Sequence, residues 1–234
     1  LINRGYDTKE KAENFLKPGP ENLYDPYLMH DMKKGTDRIR TAIVEGQKIT
    51  VYGDYDADGL TSTSIMYEAL TQLGAECDYY IPNRFDDGYG PNKDVYKRLI
   101  DNGTQLIVTV DNGVAGHEAI EFAKEQGVDV VITDHHELPQ ELPDAYAIIH
   151  PKIPNDDGDY PFGGLSGAGV AFKAATALLE EIPQEALDLC AIGTVADLVP
   201  LVDENRVLVK YGLEALRSTE RIGLLVLYEE WGLK

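Results

Sequence analysis

The sequence has few cysteines and no long apolar run. Its two cysteines, Cys77 and Cys190, lie far apart and form no CxxC pair, which excludes a disulfide framework and a zinc knuckle. No apolar segment approaches the ~18 residues of a membrane-spanning helix. The first residues also lack the apolar stretch of a secretory signal. These absences are typical of a protein of the reducing cytoplasm, which is where we expect it, with no membrane partner.

Positive charge is also scarce. The chain has 21 basic and 41 acidic residues, which gives a net charge of −20 at pH 7. This balance excludes proteins that hold nucleic acid on a broad basic surface. It leaves open a protein that grips a nucleic-acid end through a metal site and a few cations. With 234 residues, 43% of them hydrophobic, the chain can bury the core of one large domain.

An alternation of strands and helices begins at residue 48. The pattern predicts strands over 48–53, 76–81, 105–110, 128–133 and 145–149, with helices over 60–74, 92–102 and 115–126. The third and fourth strands are continuous apolar runs, LIVTV and VDVVIT, as in a parallel sheet covered on both faces. The predicted fold class is therefore α/β, a doubly wound, mainly parallel five-stranded sheet with helices on both faces.

Helices are also predicted on either side of this alternation. Two lie over residues 8–17 and 31–45, and three more follow a Gly-rich segment, ending near residues 181, 197 and 217. We therefore divide the chain into an N-terminal helical extension (1–45), a catalytic domain (46–220) and the start of a connector to a further domain (221–234). The first residue is not Met, so we expect an excised part of something longer. We expect it to act as a monomer.

Three aspartates, Asp54, Asp56 and Asp58, follow the first strand at alternate positions. Carboxylates this close raise one another's pKa unless a cation lies between them, so a divalent ion is the simplest interpretation. The spacing also fits an EF-hand loop. That interpretation fails because Ile65 stands where the loop needs a bidentate Glu, and because a strand precedes the acids. A solvated acidic turn is the remaining alternative.

Two further strands end in residues of the same kind. The strand over 105–110 is followed by Asp111, and the strand over 128–133 by Asp134, His135 and His136. Ligands of parallel sheets bind beyond the carboxyl ends of the strands, so we expect these side chains to meet the first cluster. Carboxylates and imidazoles without thiolates suit Mn²⁺, Mg²⁺ or Fe²⁺ better than Zn²⁺, and here they suffice for two ions. Adjacent histidines alone would more often be structural.

Two other features could contact a phosphate. An arginine after the second strand could bind a terminal phosphate bidentately, although an ion pair with Asp86 or Asp87 fits equally well. The Gly-rich segment LSGAGV opens a helix whose N–H groups could receive an anion, with a lysine one turn later, although helix packing explains its glycines equally well. The candidate phosphate contacts are Arg84, Ser166, Gly167 and Lys173.

Four segments, DYDADG, TVDNG, DHH and GTVADLVPL, resemble the motifs of the DHH phosphoesterase superfamily. Within it, VYGDYDADGLT, IPNRFDDGYG and LSGAGVAFK are similar to the 5′→3′ exonucleases specific for single-stranded DNA, which act in DNA repair and recombination. The resemblance implies a phosphodiester hydrolase with two divalent ions, Mn²⁺ first and Mg²⁺ as the alternative. It also implies single-stranded DNA with a 5′ end as substrate, and a single-strand-binding protein and a helicase as candidate partners.

The resemblance further implies a role for each residue. The bridging ligand would be Asp111, His136 would stabilise developing charge or protonate the leaving oxygen, and Asp54 would lie in or beside the ligand set. From the residues alone, a buried structural role for Asp197 on its apolar helix would be an equal interpretation. The implied metal ligands are Asp56, Asp58, Asp111, His135 and Asp197.

The sequence departs from the superfamily pattern in two ways. Tyr52 stands where many members carry a metal-binding His, which predicts a weaker hold on the first ion or partial ligation by Asp54. The companion domain with a GGGH motif is not in this sequence. Two other functions stay open: a small-substrate enzyme of the superfamily (oligoribonuclease, cyclic-dinucleotide phosphodiesterase or pyrophosphatase), and an inactive scaffold of a replication complex.

Overall fold

A five-stranded parallel sheet forms the centre of the computed structural model, which describes residues 1–155 and 158–232. The strands lie in the order β2-β1-β3-β4-β5, and every neighbouring pair is parallel. The predicted doubly wound α/β fold is therefore confirmed. The strands are β1 (Ile49–Tyr52), β2 (Cys77–Tyr80), β3 (Leu106–Val110), β4 (Asp129–Thr133) and β5 (Ala147–Ile149).

Helices precede, connect and follow these strands. All the predicted helices are present, and α9, which the sequence pattern does not predict, follows them. Short 3₁₀ turns cover Ile2–Arg4, Pro20–Asn22, Pro26–Leu28 and Gln184–Ala186. The α-helices of the described residues are α1 (Lys9–Leu16), α2 (Met32–Val44), α3 (Ala57–Gln72), α4 (Lys93–Asp101), α5 (His117–Glu125), α6 (Gly167–Leu179), α7 (Leu187–Ala196), α8 (Asp203–Arg217) and α9 (Ile222–Glu230).

Alternate strand residues pack into two different cores. In β3, Val108 belongs to a core shared with α2, α3, α6, α7 and α8, whereas Ile107 belongs to a core shared with α4 and α5. Helices thus cover both faces of the sheet, which explains why every residue of β3 is buried and all but Thr109 are apolar. A polar binding site is therefore expected at the ends of the strands.

The strand order creates a crevice between β1 and β3. The chain runs from β1 outward to β2, then crosses back to place β3 on the other side of β1. The connections leaving β1 and β3 consequently diverge onto opposite faces of the sheet. In doubly wound folds ligands bind at such a switch point, beyond the carboxyl ends of the strands.

The N-terminal segment packs on the main core. Met32, Ile39 and Ala42 of α2 are fully buried there, and the carboxylate of Asp31 accepts the N–H of Ile148 at 3.0 Å. The division after residue 45 and the connector over 221–234, whose last two residues lie outside the described part, stay predictions. None of the helices described in 1–155 and 158–232 is both long and apolar enough to cross a bilayer.

Candidate metal centre

The first acidic cluster lies across the start of α3, which begins at Ala57 rather than at the predicted Leu60. The Oδ1 atom of Asp56 accepts the N–H of Gly59 at 2.8 Å. An aspartate in this N-cap position satisfies a free N–H group and starts the helix early. Asp58 therefore lies in the first helical turn and is 2% exposed, whereas Asp56 stays exposed.

The carboxylate of Asp58 is held by the start of α6. Its Oδ2 accepts the N–H of Gly167 at 2.7 Å, and its Oδ1 accepts the N–H of Ala168 at 2.8 Å. A Cβ atom at Gly193 of α7 would lie 2.5 Å from Oδ1 of Asp58, and one at Gly167 would collide with the carboxylate of Asp111. The glycines thus make room for two carboxylates.

These contacts contradict the predicted phosphate contacts at α6. The N–H of Gly167 is already bound to Asp58, and the Oγ of the fully buried Ser166 lies 3.1 Å from both the N–H of Gly169 and the Oγ1 of Thr194. The Lys173 side chain is 2% exposed and pairs with Glu204 at 2.8 Å. All three residues are buried and bound to groups of the protein, so the structure gives Ser166, Gly167 and Lys173 packing contacts and no open phosphate site.

The second acidic position, Asp111, follows β3 in the left-handed region, with φ 60°. Aspartate is one of the few residues that adopt this conformation readily. The amide of Asn112 donates to the carbonyls of Gly53 and Val110, each at 2.9 Å, and so ties the ends of β1 and β3 together. Sequence reasoning gave Asn112 no role, although an asparagine in a strand-ending turn is a signal for such backbone contacts.

Asp134 organises the loop after β4. Its Oδ1 accepts the N–H groups of His135 and His136 at 2.7 and 3.1 Å and lies 2.7 Å from Nδ1 of His136, while its Oδ2 accepts the N–H of Val114 at 3.0 Å. Both oxygens of Asp134 are occupied by these contacts. They hold the backbone at His135 and His136 and the ring of His136, so Asp134 orients the two histidines. Sequence reasoning did not assign it this role.

His135 lies at the centre of the cluster. Its Nε2 is 3.1 Å from Oδ1 of Asp111 and 3.7 Å from Oδ2 of Asp58, and its Nδ1 is 3.8 Å from Oδ2 of Asp197. Within the described chain, Nε2 of His135 and Oδ1 of Asp111 are buried and form no hydrogen bond. Buried polar atoms normally have partners, so a cation between them is the simplest completion of the site.

The candidate ligand atoms form three overlapping groups, each with its atoms within 4.8 Å of one another. Two residues, Asp111 and His135, each belong to two groups. The structure thus brings together all five predicted metal ligands with Asp54 and His136; metal ligation by them stays a prediction. We call these seven residues the acid edge. The groups are Asp54-Asp56-Asp111, Asp58-His135-Asp197 and Asp111-His135-His136.

Burial dominates the electrostatics of the acid edge. It raises the pKa of Asp111 far above its ordinary value, with further contributions from Asp58 and Asp56, and it also raises the pKa of Asp54 and of Asp58. It lowers the pKa of His135. Without a cation, protons must therefore replace part of the missing positive charge.

The pKa of His136 shifts in the opposite direction to that of His135. Its hydrogen bond with Asp134 raises the pKa of His136 to about 9. The imidazole is therefore held as a cation at neutral pH, beside the carboxylates of the acid edge. A positively charged ring here can balance negative charge that develops on a reacting phosphate.

Arg84 lies at the rim of the acid edge. Its guanidinium stacks over the ring of Tyr55, with 5.6 Å to the ring centroid. Of its two candidate partners, Asp87 instead pairs with Arg98 at 3.2 Å, and among the described residues Arg84 forms no ion pair with Asp86. The exposed guanidinium is thus available, and the predicted phosphate contact stays a prediction.

Tyr52 does not replace the missing histidine ligand. Its ring is fully buried in the core shared with α4 and α5, where it stacks on Tyr80 at 5.7 Å. Its hydroxyl donates to the carbonyl of Gly90 at 3.0 Å. Tyr52 therefore anchors the loop over residues 81–91, and Asp54 is the neighbouring residue that joins the ligand groups.

Comparison with known proteins agrees with this geometry. Residues 48–194 match the model of the DHH family, N-terminal domain. The single-stranded-DNA-specific exonuclease RecJ of Bacillus subtilis (strain 168) is 54% identical over 224 residues, covering 96% of this chain and 28% of that protein. The chain therefore spans less than a third of this relative's length.

Two solved structures resemble the whole chain or most of it. Exonuclease RecJ bound to manganese is 36% identical with a TM-score of 0.79, over 86% of this chain and 52% of that one. RecJ from Thermus thermophilus in complex with Mn²⁺ is 32% identical with a TM-score of 0.82, over 100% of this chain and 33% of that one. Because the second similarity extends over the whole chain, it includes the acid edge.

Proposed function

The chain belongs to the DHH family, and from this membership we propose that it is the catalytic core of a metal-dependent 5′→3′ exonuclease that hydrolyses single-stranded DNA. The relatives' names supply the substrate: RecJ of Bacillus subtilis is described as a single-stranded-DNA-specific exonuclease. Repair and recombination of DNA are the corresponding processes. A single-strand-binding protein and a helicase as partners, and a cytoplasmic location, remain predictions from the sequence.

The observation that carries this proposal is the sharing of Asp111 and His135 between ligand groups. One ion would lie among Asp54, Asp56 and Asp111, and a second among Asp58, Asp111, His135 and Asp197. Their carboxylate and imidazole donors suit Mn²⁺ or Mg²⁺, and Mn²⁺ is the ion of both related structures. When bound, two such ions supply a nucleophilic water at neutral pH and stabilise the charge on the phosphate.

The chain's own residues then orient and stabilise the substrate. His136 faces the same edge, and a protonated ring there can stabilise the negative charge that develops on the leaving oxygen. In the metal-free protein its pKa of about 9 keeps the ring protonated at pH 7. Asp134 keeps that ring in place. The Arg84 guanidinium at the rim can take the terminal 5′ phosphate by two parallel hydrogen bonds.

The test is hydrolysis of a single-stranded oligonucleotide labelled at its 3′ end. With Mn²⁺ we expect stepwise shortening from the 5′ end, and much slower cleavage of the same sequence in a duplex. Asp111→Asn should reduce the rate by at least about 10³-fold, because a bridging carboxylate serves both ions. Asp144→Asn, which removes an exposed carboxylate before β5, should stay near wild type. Internal cleavage, or an active Asp111→Asn variant, would exclude the proposal.

Arg84→Ala separately tests how the protein recognises the 5′ end of its substrate. Wild type should prefer oligonucleotides with a 5′ phosphate over those with a 5′ hydroxyl, and the variant should lose this preference. Loss of a hydrogen bond to a charged group corresponds to roughly 1.5–3 kcal/mol. Arg217→Ala, at the exposed end of α8, serves as the control. Equal loss on both kinds of end would instead place Arg84 along the DNA backbone.

A further inference from the structure

A tyrosine contacts His136 on the side away from Asp134. The hydroxyl of Tyr89 lies 2.9 Å from Nε2 of His136, and the two rings meet edge to face at a centroid distance of 5.9 Å. Nδ1 of the same imidazole lies 2.7 Å from Oδ1 of Asp134. Both ring nitrogens of His136 therefore have protein partners, one from each side of the acid edge.

The loop that carries Tyr89 is fixed at several points. The carboxylate of Asp87 accepts the hydroxyl of Tyr80 at 2.6 Å and the N–H of Asn83 at 2.9 Å, and it pairs with Arg98 at 3.2 Å. The carbonyl of Gly90 accepts the hydroxyl of Tyr52 at 3.0 Å. These bonds flank Tyr89 in sequence, so its position is set by the loop.

The two contacts fix the ring whichever nitrogen donates. Asp134 can only accept from Nδ1–H, whereas the Tyr89 hydroxyl can either donate to Nε2 or accept from it. In both cases one partner holds each ring nitrogen, and the edge-to-face contact with the Tyr89 ring restricts the tilt of the imidazole.

We propose that Tyr89 is a positioning residue, whose hydroxyl fixes the ring plane of His136 so that the imidazole faces the reacting phosphate. This inference rests on the proposed function and deepens it. Asp134 alone leaves the ring free to tilt about its Nδ1 contact, whereas a second bond at Nε2 removes that freedom. Preorganisation of this kind raises kcat without a matching effect on substrate binding.

Removal of the hydroxyl tests the positioning directly, without any turnover. In long-range ¹H–¹⁵N spectra of the Mg²⁺-loaded protein with labelled histidine, Tyr89→Phe should shift the Nε2 resonance of His136 and leave the Nδ1 resonance near its wild-type value. Tyr79→Phe is the matched control, since Tyr79 is 59% exposed and Tyr89 57%. An unchanged Nε2 resonance in Tyr89→Phe would overturn the inference, whether or not the protein cleaves DNA.

Steady-state kinetics provide the second test of the positioning role. We expect Tyr89→Phe to lower kcat about 10-fold or more while KM stays within about twofold of wild type. Affinity for Mn²⁺ should not change, because neither of the two ion positions proposed above uses His136, the residue that Tyr89 contacts. A KM effect alone would reassign Tyr89 to substrate binding and overturn the positioning role. A wild type that cleaves nothing would instead overturn the proposed function, and the Nε2 resonance would still decide on the hydrogen bond.

Discussion

Asp111 is a carboxylate that the fold buries beside other carboxylates. Burial raises the pKa of Asp111 in the metal-free folded protein above its value in the unfolded chain. The unfolded chain therefore loses this proton at a lower pH than the folded chain, and folding becomes less favourable as pH rises. We expect Asp111→Asn to be more stable than wild type in EDTA, by roughly 1–3 kcal/mol at pH 8, with a smaller difference at pH 5. Asparagine also tolerates the left-handed φ of 60°.

Denaturant unfolding at the two pH values measures this difference. Asp144→Asn, at an exposed position before β5, controls for loss of one negative charge from a chain of net charge −20. An equal gain in the control would assign the effect to overall charge. A less stable Asp111→Asn variant would show that the carboxylate makes favourable contacts in the metal-free site.

Most metal-ligand candidates could be predicted from the pattern of residues, and Asp197 only from the family resemblance, whereas the residues that orient them could not be predicted. Asp54, Asp56 and Asp58 stand out because they follow a strand at alternate positions, and Asp111 and His135 because they end neighbouring strands. The contact between Tyr89 and His136 joins residues 47 positions apart. Asp58 meets the N–H of Gly167 from 109 positions away. No local sequence pattern indicates contacts between residues this far apart in the chain.

His150 makes the folding stability of the protein depend on pH in the acidic range. It is fully buried, its Nε2 donates to the carbonyl of His136 at 2.9 Å, and its Nδ1 accepts the N–H of Lys152 at 3.1 Å. Burial lowers the pKa of His150 to about 4. The unfolded chain takes up this proton near pH 6.5 and the folded chain only near pH 4, so stability should fall as pH drops through this interval.

We expect the stability of His150→Gln to fall less at acidic pH, because a glutamine amide can donate to the same carbonyl and does not titrate. Relative to the variant, wild type should lose up to roughly 3 kcal/mol between pH 7 and pH 4, measured by chemical denaturation. His117→Gln, at an exposed position in α5, is the control. Parallel stability curves for wild type and His150→Gln would mean that His150 has the same pKa in the folded and the unfolded chain.

At the scale of elements, two helix starts differ from the sequence-based picture. Capping by Asp56 moves the start of α3 to Ala57 and places Asp58 inside the helix. The Gly-rich start of α6 binds Asp58 instead of a substrate phosphate. Both differences have one physical cause: the free N–H groups at a helix start bind a carboxylate. For α3 that carboxylate is local, three residues before Gly59, whereas for α6 the tertiary fold brings Asp58 from 109 positions away. The sequence does not reveal such a distant partner.

Gly193→Ala tests the contact of α7 with α3 and α6. Helix propensity alone favours alanine by about 1 kcal/mol. A Cβ atom here would lie 2.5 Å from Oδ1 of Asp58 and 2.6 Å from the Cβ of Ala168. We therefore expect lower stability, and Mn²⁺ affinity reduced about 10- to 100-fold, as when the support of a metal ligand is lost. Calorimetric titration with Mn²⁺ measures the affinity.

Gly223→Ala is the matched control for this substitution. Gly223 lies in α9, and a Cβ atom there would meet nothing within 4 Å. Its replacement should stabilise the protein by about 0.5–1 kcal/mol and leave Mn²⁺ affinity unchanged. If Gly193→Ala behaved like this control, the close packing of α7 on Asp58 would not be needed for the site.

At the scale of the whole molecule, the parallel sheet and the edge that binds ligands could be predicted from the sequence. The strand order could not, because the same alternation of strands and helices fits several orders. The observed order places β1 beside β3. Only this adjacency lets Asn112 tie the two strand ends together and brings Asp111 into the same ligand group as Asp54 and Asp56.

Metal ions should therefore stabilise the whole fold. The candidate ligands come from the ends of β1, β3, β4 and α7 and from the first turn of α3, between residues 54 and 197, so the unfolded chain lacks the site. We expect Mn²⁺ at about 100 times its Kd to raise the free energy of unfolding by about 2.7 kcal/mol for each ion bound, measured by denaturant titration with and without EDTA.

Specific binding must be distinguished from general screening, because the chain carries a net charge of −20. Screening of the surface should stabilise wild type and Asp111→Asn equally, and an equal ionic strength of NaCl should reproduce it. Binding at the acid edge should stabilise wild type much more, since the asparagine variant lacks the carboxylate shared by two ligand groups. Equal stabilisation of the two proteins by Mn²⁺ would mean that the ions act on the surface charge and that the acid edge holds none.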